Sequence, residues 1–294
     1  AHEPPPGAAD DRRRRPMTAV ADTPDEAFGP DWARLDDRWV LVTGAARGLG
    51  RAIALGAARF GANIVAIDRD EVGVISLRGV IESLGATCLT GVCDVRDSDA
   101  VDEVLADTMA RIDGLDVLVN NAGGGFWAPF LDVTARGEAA LIAENFTQVT
   151  HMIRSCVPYL VEGGSIVSVT SIEGHRAGPG FAIYSAMKAA VENLTRTLAL
   201  ELADRRIRVN AVAPDMIPTP GDDALAEAAG ALVDDNYDSQ PWPETGTPDD
   251  AAGAVIFLAS DMSRFITGST IHLDGGTYAA SGWKRRRSDG AWLL

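Results

Sequence analysis

Cysteine is scarce in this chain of 294 residues: Cys88, Cys93 and Cys156 are all it has. An odd number cannot close into a disulfide framework, and a chain this long builds its own core without one. The reading is of reduced thiols in a cytoplasmic protein. None of the three sits in a CxxC or histidine-containing pattern, so no metal site is expected. Positive charge is also in short supply, with 26 Lys and Arg against 42 Asp and Glu and a formal net charge of −16. Eight of those cations lie in two runs, 12–15 and 284–287, and residues 17–283 carry 18 basic against 38 acidic groups. A body that acidic repels phosphate backbones, which argues against a nucleic-acid partner. Long apolar runs are missing too. No stretch reaches 18 consecutive apolar residues, so no membrane span is expected.

What is present is a globular balance of 46% hydrophobic and 23% charged residues. Short apolar runs at 39–43, 63–67, 87–92, 115–119, 165–169, 207–210 and 270–273 read as buried parallel strands. Helix-length segments separate them, at 48–60, 71–84, 98–111, 134–160, 182–203 and 248–259. In one, Met187, Val191, Leu194, Leu198 and Leu202 lay an apolar stripe along a single helix face. This alternation predicts an α/β protein: a doubly wound, Rossmann-type parallel sheet of about seven strands with helices on both faces. A single domain spans 33–283. Residues 1–32, rich in Pro, Ala, Asp and Arg, read as a disordered extension, and 284–294 as a basic, solvated tail. Ligands of such a fold lie beyond the carboxyl ends of the strands, so residues just after each strand carry the chemistry.

After the first strand comes Thr43-Gly44-Ala45-Ala46-Arg47-Gly48-Leu49-Gly50, leading into a helix. Glycines there let the backbone turn tightly and approach a pyrophosphate, which the helix N-terminus stabilises. Asp68 ends the second strand, 24 residues after Gly44. Its carboxylate can accept from adenosine ribose hydroxyls and would repel a 2′-phosphate, which favours NAD over NADP. Arg47 and Arg69 pull the other way, since either would suit a phosphate. Tyr184 and Lys188 stand four residues apart, on one face of a helix. A phenol with an ordinary pKa of ~10 is a poor base, and an adjacent ammonium favours its ionised form. Ser171 lies 13 residues before Tyr184, directly after the fifth strand, where its hydroxyl can enter the ligand crevice. Thr170 is the neighbouring candidate.

Three ordered motifs, Thr43-Gly44-(x)3-Gly48-x-Gly50, Asn120-Asn121-Ala122-Gly123 and Tyr184-(x)3-Lys188, resemble those of the short-chain dehydrogenases/reductases. The resemblance covers residues 36–280 and implies a nicotinamide oxidoreductase, commonly a homotetramer or homodimer through its two long central helices. It implies that Tyr184 is the general acid/base, that Lys188 lowers its pKa and binds ribose hydroxyls, and that Ser171 polarises the substrate carbonyl. Asn145 matches the fourth catalytic residue, which would hold a water linking Lys188 to solvent; a mid-helix Asn bonding a neighbouring backbone group is the plainer reading. For the cofactor it implies Asp94 and Val95 beside the adenine, Asn121, Ala122 and Gly123 along the adenosine, and Pro214, Ile217 and Thr219 at the nicotinamide carboxamide. One departure stands out: Pro214-Asp215 replaces the family's usual Pro-Gly.

Phe126, Trp127, Phe130, Phe181, Met216 and Trp242 are apolar candidates around the site, and a hydrophobic secondary alcohol or ketone, cyclic or aromatic, is the expected substrate. His175 and Arg176 follow Ser171 closely and are candidates for substrate contact or plain loop residues. Residues 221–250 hold nine acidic groups and no basic one; the resemblance implies a substrate-covering segment, whose charge either keeps it soluble or recognises a cationic substrate. Enoyl reduction is disfavoured, because that branch of the family spaces its Tyr and Lys more widely. The rival from another class is a catalytically silent dinucleotide-binding sensor or scaffold.

Overall fold

A computed structural model describes residues 28–215, 217–219, 236–238 and 240–294. Most of the 1–32 extension and of the acidic 221–250 segment, together with Met216, lie outside the described residues.

Seven strands form one parallel sheet in the order β3-β2-β1-β4-β5-β6-β7. They are β1 (Trp39–Thr43), β2 (Asn63–Asp68), β3 (Cys88–Val92), β4 (Leu115–Asn120), β5 (Leu160–Val169), β6 (Arg208–Pro214) and β7 (Thr270–Leu273). Every residue of β4 is buried, as a strand covered on both faces requires. Side chains alternate between two cores: Val40 and Val42 join one, Leu41 the other. Against the first pack α1 (Gly48–Arg59), α2 (Glu71–Ser83) and α7 (Pro248–Ala259), through Ile53, Leu77 and Val255 among others. Against the second pack α3 (Ser98–Met109), α5 (Gln148–Cys156) and α6 (Ala182–Glu201), through Leu105, Met152 and Val191. The three cysteines are buried and free, and burial pushes the Cys88 and Cys156 thiols up to about 12.

Helix starts follow local chemistry. Asp70 accepts from Gly73 N–H, Asp97 from Asp99 and Ala100 N–H, and Thr247 with Asp250 makes a capping box on α7. One expectation needed revision. The single helix expected over 134–160 is interrupted: α4 (Ala135–Ile142) passes into a π turn (Ala143–Thr147) before α5 begins. The widened turn admits Asn145 to the interior, where it is 1% exposed. The basic tail, expected to be solvated, stays largely exposed and forms an antiparallel hairpin of β8 (Lys284–Arg285) and β9 (Trp292–Leu293). Its guanidiniums find carboxylates, Arg285 and Arg287 on Asp238 and Arg286 on Asp289.

The chain runs β1, β2, β3 outward in one direction, then crosses to lay β4 on the other side of β1. That reversal opens a crevice at the carboxyl ends of β1 and β4. Leu118 lies fully buried in the middle of β4. Leu118→Ala should cost about 2–5 kcal/mol, read as a lower denaturant midpoint at unchanged m-value.

Candidate active site

At the crevice the Thr43 hydroxyl accepts the Asn121 and Ala122 N–H groups, both at 3.0 Å. Asn121 returns Nδ2 to the Thr43 carbonyl at 2.9 Å and the Gly44 carbonyl at 3.1 Å. The loops after β1 and β4 are thereby pinned together. Thr43, quoted in the sequence only as the first letter of a motif, turns out to be the acceptor that fixes the second one. Gly44 and Gly48 have φ of +66° and +57°, a left-handed conformation that glycine adopts without strain. A Cβ on Gly50 would lie 2.5 Å from Asn121 Nδ2. Arg47 stands at the N-cap of α1 and offers its first turn no side-chain acceptor. First-turn N–H groups with no side-chain cap, behind a glycine cradle, suit a pyrophosphate, so the residues present fit a dinucleotide.

Asp68 Oδ2 accepts from Ala46 N–H and Oδ1 from Asp70 N–H, each at 3.0 Å, which sets its carboxylate against the glycine turn. Asp94 is chelated by the Arg96 guanidinium, which holds its carboxyl down at about 2. Val95 is partly buried against the second core. Pro214 pairs with Leu273 at the end of the sheet. Ile217 and Thr219 follow on the loop after β6, and the Thr219 side chain would touch a Cβ on Gly48 at 3.2 Å. That contact brings the loop over the glycine turn. Leu49 packs on the first core.

Lys188, on α6, is 6% exposed. Its Nζ donates to the Val169 carbonyl at 3.0 Å and lies 5.4 Å from the centre of the Tyr184 ring. Burial pushes the ammonium down to about 8, against the attraction of Glu144. Asn145 Nδ2 donates to Gly124 O at 2.8 Å and to Leu141 O at 3.0 Å. Its bond to Leu141, four residues back, is the plainer role anticipated for a mid-helix Asn. A Cβ at Gly123 would meet Asn145 Oδ1 at 3.1 Å and Lys188 Nζ at 3.4 Å, and one at Gly125 would meet the Tyr184 ring at 3.2 Å. The glycines after β4 are what let that loop lie against all three side chains. Gln148, which the sequence did not single out, donates to the Ala122 carbonyl at 2.8 Å and completes the support.

Ser171 follows β5, 8% exposed, and its Oγ accepts from Glu173 N–H at 3.2 Å. The Thr170 hydroxyl instead donates to the Val212 carbonyl at 3.0 Å and is tied into the sheet. Tyr184, Lys188, Asn145 and the 171–174 turn thus gather at one end of the sheet, beside the glycine cradle.

A family model described as enoyl-(acyl carrier protein) reductase matches residues 44–278. The chain belongs to the short-chain dehydrogenase/reductase family. A 3-oxoacyl-[acyl-carrier-protein] reductase of Thermotoga maritima is 38% identical over 245 residues, covering 83% of this chain and 98% of that one. A cyclohexanol dehydrogenase of a Rhodococcus species is 36% identical over 261 residues, with 81% and 96% covered. A short-chain dehydrogenase from Burkholderia cenocepacia, solved in complex with NADP, superposes with a TM-score of 0.76 at 32% identity, covering 83% and 99%.

Further polar groups surround the site. His175 Nε2 approaches Glu192 Oε1 to 2.8 Å, and burial raises that carboxyl to about 7. The His175 ring also meets His272 edge-on, 4.3 Å between centroids. Arg176 bridges Glu173 and Asp215. Phe181 lies 6.2 Å from Tyr184, ring to ring, while Phe126, Trp127, Phe130 and Trp242 are between 41% and 62% exposed. Among the described residues no helix is long and apolar enough to cross a membrane.

Thr43 is fully buried, so Thr43→Val would strand two N–H groups. The expected loss is about 2–3 kcal/mol, read as a lower Tm, together with weaker dinucleotide binding in a fluorescence titration.

Proposed function

We propose that this protein transfers hydride between a nicotinamide cofactor and a secondary alcohol or ketone, as an alcohol dehydrogenase or carbonyl reductase. The observation that carries the reading is the Lys188 ammonium, buried and pushed down to about 8, set beside the Tyr184 ring on one face of α6. A nicotinamide, when bound, supplies or accepts the hydride. The chain's own residues handle the proton. An ammonium beside a phenol favours its ionised form, so Tyr184 can take a proton from an alcohol or give one to a ketone oxygen. Ser171 Oγ accepts from Glu173 N–H and keeps its own O–H for the substrate oxygen, where developing negative charge strengthens the bond. Asn145, held through Gly124 and Leu141, would complete a relay from Lys188 toward solvent.

For the adenosine end the proposal is NAD in preference to NADP, because Asp68 presents carboxylate charge beside the glycine turn where a 2′-phosphate would come. The aromatic surroundings support a hydrophobic, cyclic or aromatic substrate, and a relative acts on cyclohexanol by its name. A second reading, reduction of a 3-oxoacyl thioester, is favoured by the Thermotoga relative. The acidic body, −16 overall, opposes a phosphate-bearing carrier. We also propose a cytoplasmic homodimer or homotetramer built on the α4–α5 and α6 faces, where Leu200 is 79% exposed. The silent-binder reading predicts NADH binding without turnover of anything.

A panel of cyclic and aromatic alcohols, with 3-oxoacyl and enoyl thioesters in the reverse direction, separates these readings through NADH absorbance. With the substrate found, Tyr184→Phe should lower kcat by about 10²–10⁴-fold and leave the NADH Kd within about threefold. Activity that requires the ammonium falls as pH rises through about 8. Glu144→Gln removes the charge that raises Lys188. Its lysine therefore loses the proton earlier, and the alkaline limb of the kcat profile should move to lower pH.

A further inference from the structure

Asp215 stands where the family usually has glycine, and the activity proposed above makes no use of it. β5 and β6 run side by side up to Val169 and Val212, and the Thr170 N–H and hydroxyl both still reach the Val212 carbonyl, at 2.8 and 3.0 Å. Beyond that point the two chains part. Ser171 opens a 3-10 turn, Ile172–Gly174, capped by its own hydroxyl. Asp215 instead gives its N–H to the Leu273 carbonyl at 3.0 Å and follows β7.

Arg176 spans the gap. Its guanidinium donates to Glu173 Oε1 at 2.8 and 3.1 Å and to Asp215 Oδ2 at 3.1 Å. Glu173 is the residue whose N–H the Ser171 hydroxyl accepts. One cation thus connects the turn holding Ser171 to the first residue after Pro214. The side chains of Arg176, Glu173 and Asp215 are 35%, 19% and 16% exposed, so water screens these pairs less than it would a pair on open surface. Asp215 is not among the residues with left-handed φ, so its backbone accommodates a side chain without strain.

We infer that Asp215 is a positioning residue: through Arg176 it holds the Ser171 turn in register with the loop after β6. Glycine at 215 offers no side chain to make such a tether, and more backbone freedom. Resting on the activity proposed above, the consequence is geometric. A serine hydroxyl and a hydride-bearing ring held by two separate loops react well only if the loops keep their spacing, and small misplacements cost rate rather than affinity.

The test is a double-mutant cycle on the full chain with Asp215→Ala, Arg176→Met and the pair. Each single variant should lower kcat about tenfold with KM and NADH Kd within about threefold, and the pair should be no worse than about twofold below the poorer single. Asp215→Glu should recover most of the rate. Amide hydrogen exchange at Glu173 and Gly174, which needs no substrate, should speed about tenfold in both single variants alike. A wild type that turns over nothing ends the enzymatic reading but leaves the exchange measurement decisive for the tether. Single variants with wild-type kcat and exchange, or effects that multiply in the pair, would overturn the proposal.

Discussion

A lysine ammonium held almost entirely out of water is the constraint to which the rest of the site answers. Burying a charge is costly unless polar groups surround it. Here the Val169 carbonyl accepts from Lys188 Nζ at 3.0 Å, the Glu144 carboxylate attracts it, and Asn145 turns its carbonyl oxygen toward the same space. Each of those partners imposes a local cost. Asn145 reaches the interior where one helix opens into a π turn, with half-buried Glu144 beside it. The loop after β4 approaches closely enough only because residues 123–125 are glycines. The cation in turn stands beside the Tyr184 ring, which gives an otherwise unreactive phenol a reason to ionise.

The sheet supplies the frame in which this can happen. Its strand order reverses at β1, so two loops 78 residues apart in sequence come together over one crevice. The Thr43 hydroxyl and the Asn121 amide then lock them. The dinucleotide end and the proton-handling end are thus parts of one network: Asn121 braces the glycine turn, Gln148 supports Ala122, and Gly123 lies against Lys188 and Asn145. The family to which the chain belongs accounts for this shared frame. The Arg176–Asp215 bridge and the His175–Glu192 contact lie around it.

Much of the fold was legible because its signals are local. Strands covered on both faces are mostly apolar, which makes β1 readable with its observed limits; β7, half-buried at the sheet edge, is also read with its observed limits, and the other strands differ mainly at their ends. The helix starts at 71, 98 and 248 were read from periodicity alone, and the structure adds their caps, Asp70, Asp97 and Thr247. Where reading along the chain went astray, a distant contact had outweighed the local pattern. The apolar periodicity of 134–160 continues through the π turn and gives no sign of it, since the turn is stabilised by Asn145 meeting Gly124 across the crevice. The basic run at 284–287 gave no sign of its hairpin, because its carboxylate partner Asp238 lies some fifty residues away.

Spacing along the chain was enough to place Tyr184 and Lys188 on one helical face and to put glycines at the mouth of α1, because each depends on neighbours a few residues apart; the resemblance to the family marked Asp215 as a departure. Neither could say that Thr170 spends its hydroxyl on Val212 while Ser171 keeps a place at the crevice, or that Asp215 would meet Arg176. Those outcomes depend on which strands lie side by side and on how deeply a charge is buried. Both are properties of the assembled sheet and its covering helices, and no short stretch of residues carries them.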